Sequence, residues 1–255
     1  MRTLIMSSSF TAYYKDENGT KIPRIIDNDN GFLDNLKKHL TNRKCLVVIS
    51  GSPSKIHPVD PNIVTKTSFE MSGIAFDEYI YVNDENKHRI KEYIQKATAI
   101  NLLGGHLPTG NKFVNELNLK ELLRDFDGVI MGASGGAMEM ADDVYCIPEV
   151  EGEHTDKNFK RILKGLALTD INIIPHFQYF KTMQFSDGTK MLDEILLEDC
   201  KKTPLIAIPD RSYIIEHAGK KTIYGQAWLL KNGKIEKICE NNNTKILNGC
   251  DKTLS

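Results

Sequence analysis

Short apolar runs of strand length alternate along this chain with longer segments whose apolar residues recur at helical spacing. The predicted strands are Thr3–Ser7, Cys45–Ser50, Glu78–Val82, Ala99–Leu103, Gly128–Gly132, Ile171–Ile174 and Leu205–Ile208. Two of the segments between them, Phe32–Leu40 and Ile90–Ala97, carry their apolar side chains on one face and are predicted as amphipathic helices. Repeated units of this kind predict an α/β fold with three layers, αβα, around a mostly parallel sheet.

The pattern changes after the last of these strands to short β-type segments joined by turns. These segments are Ser212–Glu216, Lys221–Tyr224, Ala227–Leu230 and Lys234–Cys239. The dipeptide Asn232-Gly233 is typical of a tight hairpin, because both residues tolerate positive φ. We therefore expect antiparallel strands at the C-terminal edge of the sheet. The polar stretches Thr11–Asn30 and from Asn241 onward are expected to be a surface loop and a loosely held tail.

The length and the net charge of the chain indicate how many domains it has and which binding partners are disfavoured. A chain of 255 residues fits a single domain over residues 1–255. With 33 Lys and Arg against 34 Asp and Glu, the formal net charge is −1, so no overall positive field favours nucleic acid or anionic membranes. The apolar run Leu4-Ile5-Met6 is too short for a secretion signal, and no segment approaches the ~18 apolar residues of a membrane span. We expect the protein to be cytoplasmic and to be a monomer or a homodimer.

The five cysteines are scattered, odd in number and without a C-x-x-C pair. This spacing argues against a disulfide framework and against a structural zinc site. We expect no metal and no other cofactor.

The segment Gly132-Ala133-Ser134-Gly135-Gly136 follows a predicted strand and precedes a predicted helix that begins near Ala137. In this context the pattern G-x-S-x-G predicts a nucleophile elbow, a sharp turn that exposes a reactive serine at a helix N-terminus. Ser134 is therefore the candidate nucleophile. A glycine-rich turn that only packs a helix on a sheet accounts for the pentapeptide about equally well.

Two polar residues follow other predicted strands, each directly after a proline. His176 follows Ile171–Ile174 and Pro175, and Asp210 follows Leu205–Ile208 and Pro209. Because a serine needs a base within hydrogen-bond reach, we predict His176 as that base and Asp210 as the group that orients it. Gly105, with Gly104 before it, also follows a strand, and its N–H together with that of Gly135 is predicted to form an oxyanion hole.

Four segments together resemble the peptidase E (aspartyl dipeptidase) and cyanophycinase family of serine peptidases. They are LLGGHLPTG, GASGGAMEMA, KGLALTDINIIPHF and LIAIPD, in that order, and the similarity runs from about Met1 to Ile238. The resemblance implies a fold related to the class I glutamine amidotransferase-like domain and an acyl-enzyme hydrolysis of small acidic peptides or related amides. It also implies Ser134 as nucleophile, His176 as base and Asp210 as the triad acid, where aspartyl dipeptidases carry glutamate.

The chain departs from the family pattern at three places. Ser134-Gly135-Gly136-Ala137 replaces Ser-Ala-Gly-Ala, and His106 replaces the Asn of Gly-Gly-Asn and is expected to face the substrate. The nearest match to the arginine that holds an acidic first residue is Lys190, which cannot form a bidentate pair with a carboxylate. A second family acid downstream of the serine has three candidate counterparts, which are Asp142, Asp143 and Glu149.

The sequence therefore predicts a serine peptidase of the dipeptidase type that acts on short peptides, with an acidic first residue as one specificity. A non-catalytic protein that binds a peptide or small molecule on the same fold is the main alternative. A glutamine amidotransferase is disfavoured, because that chemistry uses a cysteine at the position of Ser134.

Overall fold

The computed structural model describes residues 1–9, 12–53 and 61–247. The strands in these ranges are β1 (Thr3–Ser7), β2 (Tyr13–Lys15), β3 (Lys21–Pro23), β4 (Cys45–Ile49), β5 (Glu78–Val82), β6 (Ala99–Leu102), β7 (Val129–Ala133), β8 (Asp143–Tyr145), β9 (Ile162–Lys164), β10 (Ile173–Ile174), β11 (Leu205–Ala207), β12 (Tyr213–His217), β13 (Lys220–Tyr224), β14 (Ala227–Lys231), β15 (Lys234–Cys239) and β16 (Thr244–Leu247). The α-helices are α1 (Phe32–His39), α2 (Pro61–Met71), α3 (Ile90–Lys96), α4 (Leu107–Glu116), α5 (Leu119–Leu122), α6 (Gly135–Met138), α7 (Phe177–Phe180) and α8 (Leu197–Asp199). Two 3-10 helices, Asp29–Gly31 and Lys87–Arg89, and one π-helix, Met191–Leu196, complete the regular structure of these ranges.

The central sheet has eight strands in the order β16-β13-β12-β1-β7-β6-β4-β5. Its five strands from β1 to β5 in this order are parallel, and β12, β13 and β16 continue it in antiparallel pairs beyond β1. The mostly parallel sheet and its antiparallel C-terminal strands are confirmed.

Both faces of this sheet are buried, as the continuous apolar runs of its parallel strands require. In β1, Leu4 and Met6 pack into the core on one face, while Ile5 packs into the core on the other. Helices α1 and α2 cover the face of Ile5, and α3 to α6 cover the opposite face. The predicted three-layer αβα architecture is therefore confirmed, and α1 and α3 lie within one residue of their predicted ranges.

A second sheet departs from the prediction that all seven early strands share one sheet. It has four strands in the order β10-β11-β14-β15, in which β10 and β11 are parallel and the other pairs antiparallel. The free edge of β1 is taken by β12, so β10 and β11 cannot extend the central sheet there. Strands β14 and β15 join this second sheet, with Asn232 and Gly233 at positive φ in their hairpin, and do not extend the central one.

Two stretches expected to be irregular contain strands. Within residues 12–30, β2 and β3 pair as an antiparallel hairpin, and the expectation of a surface loop is wrong there. In the C-terminal tail, β16 pairs with β13 and buries Leu247. Thr11 and the residues after 247, including Cys250, lie outside the described residues.

No helix in the described part of the chain is long and apolar enough to cross a membrane. Cys45, Cys146, Cys200 and Cys239 are buried free thiols.

Candidate active site

Ser134 is the single residue between β7, which ends at Ala133, and α6, which begins at Gly135. Its backbone has φ 53° and ψ −128°, a region that residues other than glycine rarely occupy. The Ser134 N–H donates to the carbonyl oxygen of Ser7 on neighbouring β1 at 3.0 Å, which holds the turn against the sheet. This is the strained strand-to-helix geometry of a nucleophile elbow.

The turn is tight because α6 packs directly on the backbone of β6. A Cβ atom built on Gly136 would lie 2.1 Å from the carbonyl oxygen of Leu102. Only glycine fits at that distance, so the second glycine after Ser134 is required by close packing of the helix on the sheet.

His176 reaches Ser134 from the second sheet. It follows β10 across Pro175 and has a left-handed backbone conformation with φ 51°. Its Nε2 lies 2.9 Å from Ser134 Oγ, within hydrogen-bond distance. The sequence pattern predicted this proximity from one shared sheet edge, whereas two separate sheets provide it.

Asp210 lies on the far side of the His176 ring, at 2.7 Å between Oδ1 and Nδ1. Its Oδ1 also accepts a hydrogen bond from Ser8 Oγ at 2.7 Å, and its Oδ2 accepts one from Gln178 Nε2 at 2.8 Å. Partial burial acts to raise the pKa of Asp210, but the hydrogen bonds from His176, Ser8 and Gln178 outweigh it and the pKa is lowered. The carboxyl is therefore held in its ionised, proton-accepting form.

Ser8 and Gln178 support this pair and were missed in the sequence. Ser8 Oγ accepts a hydrogen bond from the His176 backbone N–H at 2.7 Å while donating to Asp210. The Gln178 Oε1 accepts the backbone N–H of Asp210 at 3.0 Å. Ser8 directly follows β1, so the rule that found the other site residues, a polar group after a strand, applies to it as well.

The glycine loop after β6 lies against the elbow. A Cβ atom on Gly104 would lie 2.8 Å from Ser134 Cβ, and one on Gly135 would lie 2.9 Å from the carbonyl oxygen of Gly105. Gly135 is the first residue of α6, so its N–H has no acceptor within the helix. Gly105 and Gly135 also line one small cavity together with Ser134 and His176.

Two of the three alternative acids lie at the surface in ion pairs. Asp142 pairs with Lys120 at 2.9 Å, and the hydrogen bond from Lys120 lowers the pKa of the Asp142 carboxyl. Asp143 pairs with Lys164. Neither lines the described cavities beside Ser134.

Glu149 is the third alternative acid and lines the small cavity with Ser134 and His176. Although the residue as a whole is exposed, desolvation of its carboxyl raises the pKa, and His106 partly offsets that rise. His106 itself lies within hydrogen-bond distance of Thr109 Oγ1 at 3.1 Å and of Glu153 Oε1 at 2.9 Å. It is near the site but does not line either described cavity beside Ser134.

Lys190 lines neither of the two cavities beside Ser134. Its backbone forms an isolated antiparallel bridge with Gln184, and its N–H donates to Glu194 Oε1 at 2.9 Å. Lys190 is therefore exposed and lines neither of the two cavities beside Ser134. Its position in the sequence had suggested that it binds a carboxylate.

Two cavities flank Ser134 and His176. The smaller, about 20 Å³, is lined by Gly105, Leu107, Ser134, Gly135, Met138, Ile147, Glu149, Pro175, His176 and Phe180. The larger, about 440 Å³, lies under the β2–β3 hairpin. Within the described ranges, no group of three or more His, Cys, Asp or Glu side chains is arranged to hold a metal ion.

Glu139 is a buried carboxyl behind the glycine loop. Its Oε2 accepts a hydrogen bond from Asn111 Nδ2 at 2.8 Å, while Oε1 has no hydrogen-bond partner among the described residues. Burial raises the pKa of Glu139 to about 8, against the opposing effect of the Asn111 hydrogen bond. The carboxyl is therefore protonated in the folded protein at neutral pH.

Glu139 gives the folded state a dependence on pH. The group has a pKa of 4.5 when unperturbed and about 8 in the fold, so the folded state binds the extra proton between these values. Its contribution to stability is fully present below about pH 4.5 and is lost as pH rises through 8. We expect Glu139→Gln to reduce the fall in Tm between pH 6 and pH 9, measured by thermal unfolding; an unchanged difference would contradict a buried neutral carboxyl.

Comparisons with known proteins identify the fold and the family of this chain. No curated protein sequence matches the chain. A crystal structure of a candidate peptidase E protein from Listeria monocytogenes EGD-e aligns with a TM-score of 0.58 at 13% identity, over 94% of this chain and 100% of that chain, which shows a shared fold. The family model described as Peptidase family S51 matches residues 62–224, well over half of the chain, and confirms the resemblance to peptidase E. The chain therefore belongs to Peptidase family S51 and is a serine-type peptidase.

Proposed function

We propose that this protein hydrolyses short peptides through an acyl-enzyme formed on Ser134, with His176 as general base and Asp210 as the triad acid. The observation that carries the proposal is one chain of contacts, 2.9 Å from Ser134 Oγ to His176 Nε2 and 2.7 Å from His176 Nδ1 to Asp210 Oδ1. A serine hydroxyl is a weak nucleophile unless a base of this kind removes its proton.

In the first half of the reaction, His176 Nε2 takes the proton of Ser134 as Oγ attacks the carbonyl carbon of the scissile amide. The negative charge that develops on the carbonyl oxygen is stabilised by the N–H groups of Gly105 and Gly135. Asp210 stabilises the imidazolium that forms and keeps the ring in the required orientation. His176 then protonates the leaving amine, the C–N bond breaks, and an ester to Ser134 remains.

In the second half, water replaces the leaving amine. His176 accepts a proton from that water, the resulting hydroxide attacks the ester carbonyl, and the same imidazolium returns the proton to Ser134 Oγ. The products are a free carboxylic acid and the regenerated serine. These steps use only groups of this chain and water.

Short peptides are the substrate class because of the size of the site. The larger cavity beside Ser134, about 440 Å³, has the volume of a small-ligand pocket. A preference for an acidic first residue remains part of the hypothesis. No lysine or arginine is among the described residues that line the smaller cavity, so such a preference has no counter-charge there.

The proposal is tested by hydrolysis of dipeptides and p-nitroanilides with Asp, isoAsp, Glu, Ala or Arg at the first position. We expect cleavage of at least one dipeptide by the wild-type protein and none by Ser134→Ala. Relative rates across the series then measure the first-residue preference. Cleavage that persists in Ser134→Ala would contradict the proposal.

A non-catalytic peptide-binding protein is the second candidate, favoured by the departure from the family pattern at Gly135 and His106. A fluorophosphonate probe separates the two, since it reacts only with an activated serine. Stoichiometric labelling that is lost in Ser134→Ala supports the peptidase, whereas an unlabelled wild-type protein that still binds dipeptides supports the binding function.

A further inference from the structure

The larger cavity beside Ser134 lies between the carboxyl ends of the central strands and the β2–β3 hairpin. The hairpin contributes Tyr13 and Lys21 to its lining, and the sheet contributes Asn101, Ala133 and the loop residues that follow the strands. Ser134 and His176 form part of the same wall. A molecule in this cavity would therefore contact both the proposed nucleophile and the hairpin.

Asn101 lines this cavity and carries an unsatisfied polar atom. The residue is only 4% exposed, and its Oδ1 has no hydrogen-bond partner among the described residues. Leaving a buried amide oxygen without a donor is unfavourable, so a hydrogen bond donated by a bound molecule would stabilise this side chain. The side chain comes from β6 in the middle of the sheet, a rigid position for a binding group.

Lys21 is the second polar feature of the cavity. Its ammonium lies 4.5 Å from the centroid of the Tyr13 ring, which holds it at the cavity by a cation–π contact. Within the described part of the chain, no carboxylate forms an ion pair with Lys21, and none lines this cavity. Apart from His176, Lys21 is the only basic group among the described lining residues.

The two cavities thus differ in charge. Glu149 lines the smaller one, Lys21 lines the larger one, and Ser134 lines both. A free short peptide carries an ammonium group at one end and a carboxylate at the other. Charge complementarity orders such a peptide with its amino end toward Glu149 and its carboxyl end toward Lys21.

We propose that the larger cavity holds the leaving residue of the substrate, that Lys21 pairs with the terminal carboxylate of that residue, and that Asn101 Oδ1 accepts a hydrogen bond from its N–H group. This inference rests on the proposed peptidase function, and it defines the substrate class as short peptides with a free C-terminus. Recognition of a terminal carboxylate favours the free acid of a dipeptide over its C-terminal amide by charge.

The test compares matched pairs of dipeptides as protectors of Ser134 against a fluorophosphonate probe. The pairs are Ala-Ala, Asp-Ala and Leu-Ala, each as the free acid and as the C-terminal amide. In wild-type protein we expect at least one free acid to protect at a concentration about 3- to 10-fold lower than its amide. Lys21→Gln should reduce that ratio to about one, and Lys21→Arg should preserve it.

Lys15→Gln is the matched control. Lys15 pairs with Lys21 across the same hairpin and carries the same charge, but it does not line the cavity. If Lys15→Gln lost the preference for the free acid over the amide to the same extent, the overall positive charge of the hairpin would explain that preference. This result would overturn a direct contact between Lys21 and the carboxylate. A ratio of one in wild type, or an unchanged ratio in Lys21→Gln, would also overturn it.

Failure of the carboxylate site can be distinguished from failure of the proposed peptidase function. If the probe does not label wild-type Ser134, the proposed catalysis has failed, and the same acid and amide pairs are compared by calorimetry. Tighter binding of a free acid that depends on Lys21 would then support the carboxylate site without catalysis. Equal affinity for acid and amide would contradict the site on its own.

Discussion

Ser134→Ala is expected to lower kcat by about 10⁶-fold, to the level of residual catalysis by binding and the oxyanion hole. His176→Ala should cost nearly as much, because without a base Ser134 Oγ keeps its proton and cannot attack. Both values are measured as kcat on the best dipeptide of the first-residue series. Circular dichroism and Tm establish that each variant remains folded.

The double variant Ser134→Ala/His176→Ala distinguishes a shared role from two separate ones. Residues that act as a unit give strongly non-additive losses, so the double variant should be little worse than either single variant. Ser186→Ala and His88→Ala serve as matched controls, since both side chains are exposed and far in sequence from the elbow. Additive losses in the double variant would contradict the proposed hydrogen-bonded pair.

Local sequence patterns predicted the central strands and the elbow because each has a local physical cause. Strands such as β4 are buried on both faces, so a continuous apolar run marks them. The elbow depends on Gly136, where any side chain would collide with Leu102, and this requirement is visible as glycine in the sequence. The same reasoning located Ser134, His176 and Asp210 by their positions after strands.

The pairing of strands was not predictable in the same way. Whether β10 joins the central sheet depends on which strand occupies the free edge of β1, and that edge is taken by β12 from far along the chain. The β2–β3 hairpin escaped prediction because Tyr13–Lys15 is exposed and shows no buried, alternating face. Long-range competition and weak patterning therefore account for the main errors in the fold.

The predicted substrate-binding residues show the same limit. Lys190 was selected from its place in the sequence after the histidine, but its side chain lies outside both described cavities. Lys21 precedes every predicted site residue and lines the same cavity as Ser134 only because a hairpin folds over the sheet edge. Ser8 was equally absent from the prediction, although it contacts both His176 and Asp210.

Asp210→Asn is expected to lower kcat by about 10⁴-fold while the protein stays folded. The asparagine amide has the size of the carboxyl but carries no charge to stabilise the imidazolium, and its NH₂ group can impose the wrong tautomer on His176. Asp210→Glu should retain more activity than Asp210→Asn, because it restores a carboxylate at the same position. Both variants are compared by kcat and KM on one dipeptide.

Asp142→Asn and Asp143→Asn are the matched controls for this prediction. Each removes one carboxylate charge, but at a surface ion pair with Lys120 or Lys164 rather than beside His176. We expect both to keep kcat within a few-fold of wild type, since exposed ion pairs contribute only about 0–1 kcal/mol. A fully active Asp210→Asn with a large loss in Asp142→Asn, Asp143→Asn or Glu149→Gln would reassign the triad acid. The three hydrogen bonds that converge on Asp210, from His176, Ser8 and Gln178, argue that the loss will fall on Asp210.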